Sequence, residues 1–407
     1  MAWTDFQLTV TTPLFNDDDP TVGLRVSSVR GAMRFWFRAL AGTVYGSGVP
    51  ALARAEQKVF GSTEEASPVR LRLANQPTAR AMIKAGEPSS FLAGDPAEDY
   101  EPGKWVAYLL GQGHAAKRKS GWVTTRPHTR PNHRFTLKVG FSGDPAVDSL
   151  ALASLWAACT YGGFGARTRK GFGNVHLTHK GGPLPEGPWQ DDSPDTPGFD
   201  HYRELDHLPV DGPLKACTDL LPGLVPVPEG ADGPGVAPQP TLGAGNTSAV
   251  LADFTADDWE AVAAETGERY RRFRASVPHG SPDPGYKPPI KTPEYGTVIH
   301  GTDDRFPLGA LGLPVNYKGG AKVTAYKGER DELRRASPLW FRFIKNEHEG
   351  TWELFSFAFH NPFLPADQGL STRLTGKQVD SREVYITDEN VRERTKAWMD
   401  LVRGPES

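Results

Sequence analysis

The sequence holds few cysteines and no long apolar segment. Only Cys159 and Cys217 occur among its 407 residues, too few for a disulfide framework or a cysteine metal site. No apolar run reaches the length of a membrane span, and the N-terminus, MAWTDFQLTVTT, lacks the layout of a signal peptide. We therefore expect a cytoplasmic, reduced protein of two or three domains, with no cofactor, metal or membrane partner.

Acidic residues are missing from three stretches, 20–55, 102–143 and 149–185. Residues 1–180 carry 22 Lys and Arg against 14 Asp and Glu, a balance of +8. The remainder carries 24 against 35, a balance of −11. A local positive field attracts phosphates even when the whole chain is slightly acidic. This distribution favours a polyanionic partner, and solvated basic loops are the plainer alternative.

The hydrophobic periodicity predicts an α+β protein whose two halves have a similar order of elements but no clean sequence repeat. The first half has the strand and helix order of a ferredoxin-like unit, with insertions between residues 74 and 132. Residues 181–250 are rich in Pro, Gly and acids, as in a linker or an irregular insertion. The predicted segments are strands 6–12, 69–73, 135–141, 174–178, 338–344 and 351–359, and helices 27–45, 148–161, 255–273 (with Asp258 in a capping-box position) and 388–402.

An arginine row lies in the first predicted helix, within SVRGAMRFWFRALAG. Arg30, Arg34 and Arg38 are spaced by four residues, so they share one helix face. Guanidinium groups are planar, stay charged and suit bidentate contact with phosphate. Because like charges at this spacing repel mildly, we expect a counter-anion, which is either an acid from elsewhere in the fold or a nucleic-acid backbone.

A glycine loop, YGGFGARTRKGFGNV, spans residues 161–175. It is neither a Walker loop nor a dinucleotide fingerprint, because it follows a helix and precedes a strand. Glycine-rich backbone with interleaved cations suits a phosphodiester chain, and a mobile surface turn is the alternative. The predicted contacts are Gly163, Gly165, Arg167, Arg169, Lys170 and Gly171, with Lys117, Arg118, Lys119, Arg126 and Arg130 as additional cations.

Catalytic constellations are weak, and we predict no catalytic residue. His114, His128 and His133 lie among basic residues, and a histidine with a lysine suits a metal-independent ribonuclease by general acid/base chemistry, for which His128 and His133 are the candidates. Asp17–Asp19 suit a divalent ion at a loop tip, but solvated turn acids are the plainer interpretation. No Ser-His-Asp order or nucleophile elbow occurs.

Several motifs taken together resemble the RAMP superfamily, and within it the first-subunit family of the Cmr complex, the type III-B CRISPR effector. The resemblance touches both halves and fails mainly in residues 181–250. It implies two ferredoxin-like, RRM-related domains, at 1–180 and 251–407. The motifs are TVTTPLF, SSVRGAMRFWFRALAG, VFGSTEEASPVRLRL, YLLGQG, the glycine loop, PLGALGLPV and RRASPLWFRF.

The same resemblance implies a non-catalytic, RNA-binding subunit for antiviral defence. Such a subunit holds the 3′ part of a guide RNA, helps capture target RNA and contacts other RAMP subunits. Carried over by motif, the RNA contacts are the arginine row and the three loop cations, while YKGGAKVTAYKG, with Lys318, Lys322 and Lys327, is a poor counterpart in the second half. A guide-processing endoribonuclease of the same superfamily and a protein-only scaffold, whose arginines pair with acids, remain alternatives.

Overall fold

The computed structural model describes residues 2–16, 23–93, 101–230, 237–276, 294, 296, 300–301, 303–317, 319–365, 369–377 and 379–404. Within these ranges no helix combines the length and the apolar character that crossing a membrane requires. The helices are α1 (Val26–Tyr45), α2 (Val49–Phe60), α3 (Pro102–Leu110), α4 (Pro145–Thr160), α5 (Phe199–Arg203), α6 (Gly212–Thr218), α7 (Leu221–Leu224), α8 (Trp259–Ala275) and α9 (Asp388–Arg403), with 3₁₀ turns at Ser90–Leu92, Thr168–Lys170 and Pro307–Leu311.

The strands form antiparallel sheets, so the predicted mixture of helices with antiparallel strands is confirmed. They are β1 (Trp3–Val10), β2 (Arg70–Ala74), β3 (Met82–Ile83), β4 (Ala115–Arg118), β5 (Gly121–Thr124), β6 (His128–Thr129), β7 (Arg134–Gly140), β8 (Val175–Gly181), β9 (Thr247–Ala256), β10 (Val315–Asn316), β11 (Lys322–Lys327), β12 (Asp331–Leu333), β13 (Leu339–Lys345), β14 (Trp352–Phe359), β15 (Leu370–Thr375) and β16 (Arg382–Glu383).

The first sheet has the strand order β2-β7-β1-β8, with α1 following β1 and α4 following β7. Alternation in β1 buries Phe6, Leu8 and Val10 completely, since successive side chains of a strand point to opposite faces. These side chains share one core with α1 and α4. The elements predicted for the first half are therefore all present, in the predicted order and with each boundary within a few residues, but helix α2 between α1 and β2 was not predicted.

The second sheet has the order β13-β14-β9 and is accompanied by α8 and α9. The prediction that a helix begins at Thr255 is wrong. Pairing of β9 with β14 continues to Ala256, so Thr255 belongs to the strand, and α8 begins only at Trp259. Asp258 is its N-cap and accepts a hydrogen bond from the Ala261 backbone nitrogen at 2.8 Å.

A third sheet, β10-β11-β15-β16 with β12 paired to β11, is inserted in the second half. Its strands are short, and the periodicity did not predict them. They lie between α8 and β13 and between β14 and α9 in the chain. The insertions therefore leave the strand and helix order of the second half intact.

The hydrophobic cores cross the predicted domain boundaries. Trp340 and Phe357 of the second half belong to the core built on α1 and α4. Conversely, Trp105 of α3 lies in the core of the second half, where Gly267 of α8 allows close approach. A side-chain carbon on Gly267 would lie 2.3 Å from the Trp105 carbonyl oxygen. The two halves are thus packed against each other, and the boundaries at 180 and 250 stay predictions.

The described part of residues 181–250 is packed rather than free. Trp189 is fully buried and Tyr202 is 1% exposed, both in the first core. The Tyr202 hydroxyl donates to the Thr160 carbonyl oxygen at 3.0 Å, at the end of α4. Of the two interpretations offered by the composition, this packing favours an insertion over a linker.

Candidate nucleic-acid interface

The arginine row faces an acid of the fold. Glu56 on α2 accepts from Arg34 at 3.2 Å and from Arg38 at 2.8 Å. Arg34 also donates to the Phe60 and Gly61 carbonyl oxygens, at 2.9 and 2.6 Å. The counter-anion expected for these two arginines is therefore supplied by the protein. Their side chains keep 31% and 41% of their surface exposed.

The third member of the row has a different environment. Burial, followed by repulsion from Arg34, lowers the pKa of Arg30. Its Nε is buried and has no hydrogen-bond acceptor among the described residues. The row is thus not a continuous exposed ladder of guanidinium groups.

The glycines of the glycine loop have close structural neighbours, and their role as RNA contacts stays a prediction. A side-chain carbon on Gly163 would lie 2.6 Å from a backbone oxygen of the loop itself. Gly165 has φ of 88°, and the added carbon would lie 2.3 Å from the Phe15 carbonyl oxygen. Gly171 has φ of 83°, and the carbon would lie 2.4 Å from the ring of Phe343. Glycine is needed here for left-handed backbone and close packing.

An arginine of the second half holds this loop. Arg342 of β13 is 3% exposed. Its Nη1 donates to the Gly162 carbonyl oxygen at 3.1 Å, and its Nη2 donates to the Val175 carbonyl oxygen at 3.0 Å. Both ends of the glycine loop are therefore bound to one guanidinium. The sequence feature that could have predicted this contact is the single arginine inside the apolar strand LWFRFI, and we did not predict a role for it.

Lys170 points into the interior rather than into solvent. Its Nζ is buried, lies 4.0 Å from the ring centroid of Tyr270 and 4.4 Å from that of Phe341, and has no hydrogen-bond partner among the described residues. Part of the residue stays exposed, but its ammonium does not. Burial first, then repulsion from Arg274, Arg169 and Arg167, lowers the pKa of Lys170 well below its usual value.

The two loop arginines flank Lys170. The Arg169 guanidinium lies 5.0 Å from the ring centroid of Trp340 and 5.8 Å from that of Phe35. Burial lowers the pKa of Arg169 to about 10, so the group stays charged at neutral pH. Arg167 is more exposed, and burial together with nearby Arg334 lowers its pKa. The three loop cations therefore lie close together, but much of their surface is recessed.

These cations line a junction groove between the two halves. It consists of two neighbouring cavities that share Arg335 and Ser337. The Lys170 cavity has a volume of about 360 Å³, and the Trp340 cavity has a volume of about 340 Å³. Among the described residues, no Asp or Glu lines either cavity. The groove brings together Arg167, Arg169, Lys170, Arg274, Arg334 and Arg335.

Three groove arginines were not predicted. Arg274 belongs to the basic end of α8, and Arg334 and Arg335 precede β13. Burial, followed by repulsion from Arg169, lowers the pKa of Arg335 to about 10. The sequence shows these arginines in RYRRFR and in the RR of RRASPLWFRF. They were not predicted as RNA contacts because acidic residues outnumber basic ones in the second half.

The remaining predicted cations lie outside the groove. Lys117 pairs with Glu101 at 3.1 Å on the surface. Lys322 pairs with Glu332, which further weakens the case for YKGGAKVTAYKG as the second-half counterpart of the glycine loop. Other predicted residues are exposed and do not line either cavity; these are Arg118, Lys119, Arg126, Arg130 and Lys327. Lys318 and Asp17–Asp19 lie outside the described residues.

The two histidines of the nuclease alternative differ in access. His128 is 2% exposed and its ring centroid lies 4.8 Å from that of Phe15 and 5.4 Å from that of Phe91. Burial lowers its pKa to about 4. His133 forms a 2.8 Å hydrogen bond through Nε2 with the Asn75 carbonyl oxygen. Among the described residues, no group of three or more His, Cys, Asp or Glu side chains could hold a metal ion.

The burial of His128 predicts acid sensitivity of the fold. Between the ordinary pKa of 6.5 and the folded value of about 4, the unfolded chain binds a proton that the folded chain does not. Stability should therefore fall as the pH drops through this window, by at most about 1.4 kcal/mol per pH unit from this residue. In urea unfolding, the free energy of unfolding of His128→Phe should fall less steeply with decreasing pH than that of the wild type. His133→Gln should show the same dependence on pH as the wild type. Equal slopes in all three proteins would contradict the assignment.

Comparison with known proteins supports the motif resemblance. The RAMP superfamily matches residues 7–176. The chain is 32% identical to the CRISPR system Cmr subunit Cmr1-2 of Pyrococcus furiosus over 179 residues, 42% of this chain and 93% of the relative. It is 27% identical to Cmr1-1 of that organism over 353 residues, 84% and 82% of the two chains. The crystal structure of Cmr1 from Pyrococcus furiosus (apo form) matches with a TM-score of 0.50 over 88% of both chains at 22% identity, a likeness of fold. The chain belongs to the RAMP superfamily and is a relative of the Cmr1 subunits of CRISPR systems.

Proposed function

We propose that this chain is a non-catalytic RNA-binding subunit of a type III-B CRISPR effector complex. It holds the 3′ region of the guide RNA and helps capture target RNA, and its protein partners are other RAMP subunits of the complex. The observation that carries the proposal is the junction groove, where six cations line two cavities that no described Asp or Glu lines. One described carboxylate, Asp388, lies close enough to Arg335 to act on its pKa, so positive charge remains in excess. Such an excess favours an external polyanion.

The fold is consistent with this proposal. The first sheet has the order β2-β7-β1-β8, with α1 and α4 in the connections. The second sheet has three antiparallel strands, in the order β13-β14-β9, and is accompanied by α8 and α9. We interpret both as ferredoxin-like, RRM-related units that pack against each other. The glycine loop closes the first unit, and the segment before β13 belongs to the second. The groove therefore lies where the two units meet.

The alternatives receive unequal support. Pairing of Arg34 and Arg38 with Glu56 favours the scaffold interpretation for this part of the arginine row. The endoribonuclease alternative requires a histidine that reaches its substrate. His128 is buried among aromatic rings, which leaves the half-buried His133, whose Nε2 is hydrogen-bonded with the Asn75 carbonyl oxygen. The groove thus remains the stronger site, and its predicted mechanism is backbone capture with little base readout.

Two double variants of equal charge change test where RNA binds. Arg167→Gln with Arg334→Gln removes two exposed groove cations, and Arg34→Gln with Arg38→Gln removes the pair that faces Glu56. We expect the groove variant to bind single-stranded RNA at least about tenfold more weakly at low salt. The slope of log affinity against log salt should become shallower by about 0.7 for each phosphate that the variant no longer neutralises. Fluorescence anisotropy over a salt series measures both quantities.

The second variant serves as the matched control. We expect it to keep the wild-type salt slope and to lose stability, because Glu56 would be left without its two partners. A groove variant with unchanged affinity and slope would overturn the proposed site. A slope that falls only in the Arg34 and Arg38 variant would place the RNA on the arginine row instead.

A further inference from the structure

We propose that the Lys170 cavity binds a phosphate monoester, namely the unesterified phosphate at one end of an RNA strand. The inference rests on the proposed function for the source of the phosphate. It assigns the cavity a narrower task than backbone capture, which is recognition of a strand end. The cavity is lined by four cations, Arg167, Lys170, Arg274 and Arg335.

Unused hydrogen-bond donors are the first observation behind this proposal. The Nζ of Lys170 and the Nε of Arg274 are both buried, and neither has an acceptor among the described residues. Buried donors without partners are rare because each one costs free energy. Arg274 is held in place by its Nη1, which lies 3.4 Å from the Tyr108 hydroxyl oxygen. The cavity is therefore lined by two side chains whose buried donors lack acceptors among the described residues.

The number of donors favours a terminal phosphate over an internal one. The Lys170 ammonium alone offers three N–H groups. A terminal phosphate brings three acceptor oxygens and a charge between about −1.5 and −2 at neutral pH. An internal phosphodiester carries only one negative charge and has two oxygens outside the chain. The monoester thus matches both the donors and the four positive charges more closely.

The electrostatics of the empty cavity agree with this match. Burial and three neighbouring arginines disfavour the charged form of Lys170. Tyr108 and Tyr270 raise the pKa of Arg274, so this group stays charged. A dianion placed among these groups would relieve the repulsion and favour the charged form of Lys170.

The size of the cavity suits the end of a chain. Its volume of about 360 Å³ is near the lower limit of ligand pockets, roughly 300–1,000 Å³, and is small for several nucleotides. Walls come from α3, the glycine loop, α8 and the segment before β13. The neighbouring Trp340 cavity, with its proline and aromatic walls, offers room for the attached nucleoside.

The test compares RNA ends on the full chain. Three single-stranded RNAs of one sequence carry a 3′-phosphate, a 5′-phosphate or hydroxyl groups at both ends, and anisotropy of an internal fluorophore reports binding. We expect one phosphate-ended RNA to bind about tenfold more tightly than the hydroxyl-ended RNA. Lys170→Met should abolish this preference, and Arg274→Gln should reduce it. Lys396→Met, which removes an exposed lysine of α9 that lines neither cavity, should retain it.

The outcomes separate this inference from the proposed function. Equal affinity for all three RNAs, with weaker binding by the Arg167 and Arg334 variant, overturns the inference and leaves the RNA-binding proposal standing. A preference that survives both Lys170→Met and Arg274→Gln also overturns it. If no RNA binds, the proposed function fails. The shift in melting temperature caused by a nucleoside monophosphate, compared with that caused by the nucleoside, then shows whether the cavity binds a phosphate monoester. A shift that depends on Lys170 supports a monoester site supplied by free nucleotides, and the absence of a shift overturns the site.

Discussion

Replacing Arg342 with methionine is expected to lower the free energy of unfolding by about 3 kcal/mol. The guanidinium is 3% exposed and donates to the Gly162 and Val175 carbonyl oxygens. Hydrogen bonds from a charged donor contribute about 1.5–3 kcal/mol each, and a buried acceptor left without its donor adds a penalty. Methionine fills the space but restores neither bond. Urea unfolding at neutral pH measures the loss.

Arg373 provides the matched control. It makes the same kind of contact, since its Nη1 and Nη2 donate to the Glu329 and Gly328 carbonyl oxygens at 3.2 and 3.0 Å, but these bonds are exposed. Arg373→Met should therefore cost no more than about 1 kcal/mol. Losses of equal size in the two variants would mean that burial of Arg342 is not what makes its bonds important.

Loss of Arg342 should also be visible in the glycine loop. The guanidinium comes from β13 of the second half, while both carbonyl groups belong to the loop of the first half. Hydrogen exchange of the Ala166 and Gly173 amides, which donate to Phe15 and Pro13, should accelerate in Arg342→Met and not in Arg373→Met. The groove cations depend on the same loop, so the variant should also weaken RNA binding.

Much of the fold was predictable from periodicity because its main segments carry strong local signals. Alternation in β1 and the apolar helix α4 were predicted with nearly correct bounds. Strand β9 was missed, and its end was assigned to the next helix, because Thr255 resembles a helix cap in isolation. Only its pairing partner in β14, about one hundred residues away, decides the matter. The short inserted strands carry too few residues for a period to emerge.

The site was predictable in composition but not in geometry. Glycine and cation content identified the loop, but the same residues are compatible with an exposed surface turn and with a buried junction. Whether Arg34 faces RNA or an acid depended on Glu56, which lies 22 residues further along the chain. Arg274 and Arg335 approach Lys170 only because α8 and the segment before β13 pack on the glycine loop. Such tertiary contacts leave no mark on local spacing.

Exchanging Lys170 for methionine is expected to stabilise the empty protein by about 1–2 kcal/mol at neutral pH. The ammonium is buried against Tyr270 of α8 and Phe341 of β13, and the charged groups around it are Arg274 of α8 and the loop residues Arg169 and Arg167. Among the described residues, no carboxylate is one of the groups that influence the pKa of Lys170. Methionine is similar in length, packs well against aromatic rings and carries no charge.

The pH dependence of this gain separates charge from packing. Lys170 has a lowered pKa in the fold and the ordinary value of 10.5 when unfolded. Below 10.5 the unfolded chain readily holds a proton that the fold disfavours, so wild-type stability rises with pH and the advantage of Lys170→Met shrinks toward pH 10.5. A gain that does not change with pH would point to packing alone. Lys396→Met, at an exposed site, should show neither the gain nor its pH dependence.

If Lys170→Met is more stable than the wild type and has no preference for a phosphate-ended RNA, the result would explain why a buried lysine occupies this position. Local features that destabilise a fold are commonly retained where function requires them. Added phosphate monoester should raise the melting temperature of the wild type and leave that of Lys170→Met unchanged, which narrows the difference between the two proteins. If Lys170→Met instead proves less stable than the wild type at neutral pH, the ammonium has an internal partner and is not available for an anion.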